Sequence, residues 1–244
     1  MNRQAQAAVL FLLGAAVLHA GTTDLYLRYV KAGLRPLLLA AGAALIATAL
    51  ATVWYAMRER RSAADVPSPG RNAHPHREPR VAWLMVLPLL ALILVAPPAL
   101  GSYSAMRTGT ALQEPFGYGT LPAGDPVPLG LVDYAGRAAY GHGRTLGDRR
   151  VRVTGFVALD RAGTPYLVRM ALNCCAADAQ PVKIGLSGRI PPVLQPDTWL
   201  EVTGTYSGRR AKDPVNGGVI PFLRVAAARP VPAPRDPYDE SWNN

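Results

Sequence analysis

Cys174 and Cys175 stand side by side in the stretch "RMALNCCAADAQPV" (residues 169–182) and are the only cysteines in the chain. Two thiolates together with the carboxylate of Asp178 make a donor set for a thiophilic ion such as zinc or copper. Neighbouring residues of a flat strand point to opposite faces, so both sulfurs reach one ion only if the strand ends or bulges between them. The run "NCCAADAQP" allows this, because Asn173 and Asp178 both favour turns through bonds from side chain to backbone. Three donors fall one short of a closed structural zinc site; His142, the only histidine beyond residue 100, is the candidate fourth. Thioredoxin-like redox chemistry uses Cys-x-x-Cys, and adjacent cysteines must close a tight ring, although an oxidising compartment favours such a bond. The structural alternative is that both are small packing residues or an oxidised turn. Arg169 is expected to orient the turn by pairing with Asp178.

Such a turn needs strands to hold it. From Gly130 onward, a helical stretch "LVDYAGRAAYG" precedes five runs with β-character, at 149–159, 164–173, 180–187, 198–207 and 219–231, separated by turn residues. "VRVTGFV" and "WLEVTGTY" each give one buried face, with Gly155 and Gly204 where a curled strand would bend. Five short strands with bend glycines predict a small closed barrel, OB-like, with "RIPPVLQPD" between its third and fourth strands. The expected all-β domain covers 128–244, behind a linker at 101–127.

Ahead of it, residues 1–100 form a membrane domain. Three segments, about 7–21, 37–57 and 81–100, are apolar enough for transmembrane helices of roughly 20 residues. The first has a thin charged region before it and a second apolar helix close behind, so it reads as a retained span rather than a cleaved signal peptide. The basic loop 58–80 carries Arg58, Arg60, Arg61, Arg71, Arg77 and Arg80, against Arg28, Lys31 and Arg35 in the loop 21–36. By the positive-inside rule the arginine-rich loop is cytoplasmic. Three crossings then put the N-terminus in the cytoplasm and the β domain outside, in a multi-pass protein of the plasma membrane. The second helix, "LAAGAALIATALAT", is rich in small residues that let backbones approach in lipid.

The net charge of +10 divides into +6 over residues 1–100 and +4 over 101–244. Much of it lies beside the bilayer, where basic loops set topology and meet anionic membrane lipid. Basic residues are not clustered on an aromatic platform, which ranks nucleic acid low as a partner. His74 and His76 lack a third ligand and read as a solvated linker. No Gly-x-Ser-x-Gly elbow, phosphate-binding glycine loop or acid pair is visible, so the chain is expected not to be an enzyme.

The segments "LPLLALILVAPPALGS", "VRVTGFV", "RMALNCCAADAQPV", "TWLEVTGTY" and "ARPVPAPRDPY" together resemble the YcgQ-type family of two-component permease subunits. The most specific part is the run Cys174 to Ala179 preceded by Arg169, supported by Gly155, Gly204, Pro237 and Tyr238. The resemblance implies a separate multi-spanning permease as partner rather than a reaction. Two expectations follow: an accessory, non-catalytic permease subunit with an extracytoplasmic barrel, or an extracytoplasmic metal- or thiol-binding module whose cysteine turn delivers or senses a solute.

Overall fold

The computed structural model of the chain describes residues 3–64, 84, 86–95 and 97–240. These fall into two compact units, Met1–Tyr26 with Ala32–Pro98, and Leu27–Lys31 with Ala99–Asn244.

In the first unit, α1 (Arg3–Thr22) packs against α2 (Arg35–Ala64). Glycine sets the closeness of the pair. A Cβ at Gly14 would lie 2.9 Å from the carbonyl oxygen of Gly42, and one at Gly42 would lie 2.8 Å from Leu18 Cγ, so the backbones meet as small-residue interfaces in lipid do. At one end Arg3 pairs with Glu59, and at the other Arg35 Nε donates to the Gly21 carbonyl at 2.9 Å. Helix α2 runs seven residues past the expected end at Met57, because "RERRSAA" consists mostly of helix formers. Arg58, Arg60 and Arg61 therefore lie on a helix rather than in a loop; Arg71, Arg77, Arg80, His74 and His76 lie outside the described residues. A third membrane helix over 81–100 is not shown. The described helix there, α3 (Val86–Leu94), has nine residues and spans about 13 Å, against the roughly 30 Å of a bilayer core; residues 81–83 lie outside those described.

The second unit holds a closed five-stranded barrel. Its strands are β2 (Val151–Leu159), β3 (Pro165–Ala171), β4 (Gln180–Gly188), β5 (Trp199–Lys212) and β6 (Val219–Pro230), after a short β1 (Val127–Pro128) and before a short β7 (Tyr238–Asp239). Around the barrel the order is β2-β5-β6-β4-β3 and back to β2, antiparallel except for β4 beside β6. Alternation in β2 puts Val151 and Val153 inside and Arg152 outside. Helix α5 (Leu131–Ala139) turns Leu131, Tyr134, Ala135 and Ala138 inward, the i, i+3, i+4, i+7 stripe of an amphipathic helix. It touches all five barrel strands and so closes one end of the barrel. Gly155 is the contact point: a Cβ there would fall 2.7 Å from the Val168 carbonyl and 2.9 Å from Leu131 Cδ1. Gly204 sits at a register shift between β5 and β6, where a side chain would meet the Arg224 carbonyl.

The expected linker at 101–127 is instead part of this unit. Helix α4 (Ser102–Arg107) buries Ala105 in a second apolar cluster with Phe156, Val168, Met170 and Tyr238, outside the barrel. Asp197 accepts from Ser102 N (2.6 Å) and Ser102 Oγ (2.9 Å) at the start of α4. These residues are fixed one at a time, so no periodic pattern marks them in the sequence.

Candidate functional site: the cysteine turn

β3 ends at Ala171, and a single 3-10 turn, Ala176–Asp178, follows before β4 begins at Gln180. The strand therefore stops before the cysteines, as two converging sulfurs require. Asp178 organises the turn. Its Oδ1 accepts from Asn173 N at 2.9 Å, and its Oδ2 from Cys174 N at 2.8 Å and Cys175 N at 3.3 Å. Ala176 and Ala179 pack against the second apolar cluster, which leaves Cys174 exposed and Cys175 half-buried, both as free thiols. The two Sγ atoms and a carboxylate oxygen of Asp178 lie within 4.8 Å of one another.

The electrostatics of the turn follow from these bonds. Partial burial pushes the Asp178 carboxyl up, but the Cys174 thiol and the N–H groups of Asn173, Cys174 and Cys175 outweigh it and hold the group below the ordinary carboxylate range. The Asp178 carboxylate in turn keeps the proton on Cys174, whose pKa is pushed up to about 11, with Cys175 adding to the effect. Without an ion, Cys174 is thus a protonated thiol hydrogen-bonded to an anion, and a poor nucleophile at neutral pH.

Two expected partners are elsewhere. The Arg169 guanidinium does not orient the turn through Asp178: its Nη2 donates to the carbonyls of Tyr238 (2.7 Å) and Asp236 (3.2 Å), and its carbon lies 5.1 Å from the Trp199 ring centre. Burial pulls the Arg169 pKa down, opposed by Asp239 and Asp236. Arg169 points toward β7 because β7 pairs parallel with β3 there, Met170 opposite Tyr238. His142 does not join the cluster; it follows α5 with φ 52° and its Nδ1 lies 2.7 Å from Arg210 Nη2. Gly155 and Gly204 shape the barrel and are not in the cluster.

The sequence reading missed a neighbour of the turn. Val30 forms an antiparallel bridge with Cys175: Ala176 N donates to Tyr29 O at 2.7 Å, and Lys31 N donates to Cys174 O at 3.1 Å. The connector between α1 and α2 is thus hydrogen-bonded along the cysteine turn. Tyr238 fastens the same connector, its hydroxyl donating to Arg28 O at 3.0 Å and accepting from Leu100 N at 3.2 Å. "DLYLRYVKAG" lies between two apolar helices and shows no alternation long enough to be read as strand. A second missed feature is a buried ion pair, Lys183 Nζ to Asp213 Oδ2 at 2.7 Å. Its only signal was a lysine inside the apolar run "PVKIGL".

Comparison of the chain with curated proteins and with solved structures finds no match. Residues 139–239, which take in the five barrel strands and the cysteine turn, match the model of the DUF1980 C-terminal domain.

Proposed function

We propose that the protein is an accessory, non-catalytic subunit of a membrane permease complex: a membrane hairpin with a third span behind it, carrying an OB-like barrel on the extracytoplasmic side. The observation that carries this reading is how α1 and α2 meet. Gly14 and Gly42 bring their backbones into contact, and between Gln4 and Met57 neither helix carries an acidic, lysine or arginine side chain except Arg35 at the start of α2. Such a pair leaves no polar route between its helices for a solute. Its outer surface is apolar, with Leu37 66% and Trp54 53% exposed, and fits lipid or the helices of a larger partner.

The dimensions support a membrane setting. From Pro36 to Met57, α2 has 22 uncharged residues, about 33 Å at 1.5 Å per residue, close to the roughly 30 Å bilayer core. Each end has an arginine beside an aromatic ring, Arg35 5.7 Å from the Tyr26 ring centre and Arg58 5.6 Å from that of Trp54, the pairing expected at membrane interfaces. Connectivity supports the orientation. Residues 27–31, between α1 and α2, belong to the same compact unit as the barrel strands, so the proposed topology gives that turn and the barrel the same side of the membrane. The arginine-rich end of α2 favours the cytoplasm, which puts the turn and the barrel outside. The chain must then cross once more between Ala64 and Ala99, where α3 lies. The barrel order, with its one parallel pair between the third and fifth barrel strands, is the basis for calling it OB-like.

Purification from native membranes in mild detergent is expected to recover the chain with a larger multi-spanning protein. The exchange Gly42→Leu, which separates the two helices, is expected to reduce that recovery at least severalfold. A chain purified alone that transports a solute after reconstitution would contradict the reading.

A further inference from the structure

The Cys174, Cys175 and Asp178 cluster has the donor chemistry and the spacing of a soft-cation site, and nothing in the hairpin reading uses it. A zinc ion bonded at about 2.3 Å to each sulfur and about 2.1 Å to an oxygen needs donors roughly 3.5–4 Å apart. Side-chain rotation reaches this from donors that already lie within 4.8 Å of one another. An ionised carboxylate offers about four acceptor positions. Three are taken by backbone N–H groups, which leaves one for an ion. The three N–H bonds fix the carboxylate in direction. Cys174 is exposed, so an ion reaches the cluster from solvent.

We propose that Cys174, Cys175 and Asp178 bind one thiophilic d10 cation, Zn2+ or Cu+, and that the bound ion stiffens the turn on which the α1–α2 connector is hydrogen-bonded. On binding, both S–H bonds break, two metal–sulfur bonds and one metal–oxygen bond form, and two protons leave to solvent. Any remaining coordination position is open to water or to a donor from a partner. The connector enters through the bonds from Ala176 N to Tyr29 O and from Lys31 N to Cys174 O, which flank the two sulfurs. Lys31 is four residues ahead of Arg35, the first residue of α2. Binding by the purified chain does not depend on the permease reading. Only the source of the ion, outside the membrane, rests on it.

The test uses the full chain in detergent, reduced and stripped with a chelator, then titrated with Zn2+ or, anaerobically, Cu+ against a chromophoric competitor. Saturable binding of one ion per chain is expected, with Cys174→Ser and Cys175→Ser each weakening it by more than about 100-fold and Asp178→Asn by about 10–100-fold. Melting curves of the apo variants identify any that fail to fold, and for those X-ray absorption of the loaded wild-type chain decides, with two sulfur neighbours expected. Hydrogen exchange at the Ala176 and Lys31 amides is expected to slow at least severalfold on loading. No saturable uptake of either ion, or uptake unchanged in the double serine variant, overturns the site. Uptake with unchanged exchange at both amides overturns the link to the connector.

Discussion

Asp178 accepts three backbone N–H groups within one turn, and its removal orphans all of them. Asp178→Asn, in reduced and chelated protein at pH 7, is expected to cost about 1–3 kcal/mol, the penalty of weakening charge-assisted bonds at a part-buried site. The pH dependence has a definite sign. The carboxyl is lower in the folded chain than its ordinary value of 3.8, so its stabilising effect is present above about pH 3.8 and is lost as pH falls through the folded value. The melting-temperature gap between wild type and Asp178→Asn should therefore be widest near neutral pH and close below about pH 3.8. A gap that persists at pH 2.5 would show that the asparagine changes packing rather than charge. The convergence of the two cysteines and Asp178 was legible in the sequence, because small and turn-forming residues crowd "NCCAADAQP". The destination of Arg169 was not. It depends on β7 pairing with β3, a contact across 67 residues from Arg169 to Asp236, which local spacing does not encode.

At the scale of elements, the ion pair between Lys183 and Asp213 joins β4 to the turn after β5. Lys183 Nζ also donates to Thr108 O at 2.8 Å, and Asp213 accepts from Thr110 N at 2.9 Å and Val215 N at 2.9 Å. Both side chains are almost wholly buried. Lys183→Met leaves the Asp213 carboxylate buried without its counter-charge and is expected to cost about 3–5 kcal/mol, roughly 10–20 °C in melting temperature for a domain of this size. Thermal unfolding followed by circular dichroism measures it, and a shift below about 3 °C would contradict the assignment. The five barrel strands were legible to within a few residues, since alternation such as "VRVTGFV" survives whatever the strand pairs with. Strand β5 runs five residues beyond the expected end at Ser207 because a bulge between Ser207 and Arg210 carries the polar "SGRRAK" on beside β6. The polar composition of that stretch resembled a turn. Residues 101–127 were illegible for a different reason: α4 is six residues long, too short for a helical period to show.

For the whole molecule, the central proposal is that the barrel is extracytoplasmic; the residues between α1 and α2, Leu27–Lys31, belong to its compact unit. The apolar helices and the uneven arginine distribution were readable in the sequence. The bonds between residues 29–31 and the cysteine turn were not, because long-range pairing alone creates them. The claim can be measured on intact cells. In a background of Cys174→Ala and Cys175→Ala, single cysteines are placed at two exposed positions, Ala162→Cys in the turn between β2 and β3 and Arg61→Cys near the end of α2, and treated with a membrane-impermeant maleimide. The account predicts that Ala162→Cys is labelled on intact cells and Arg61→Cys only after the membrane is opened. Labelling of Arg61→Cys on intact cells, with Ala162→Cys protected until permeabilisation, would contradict it.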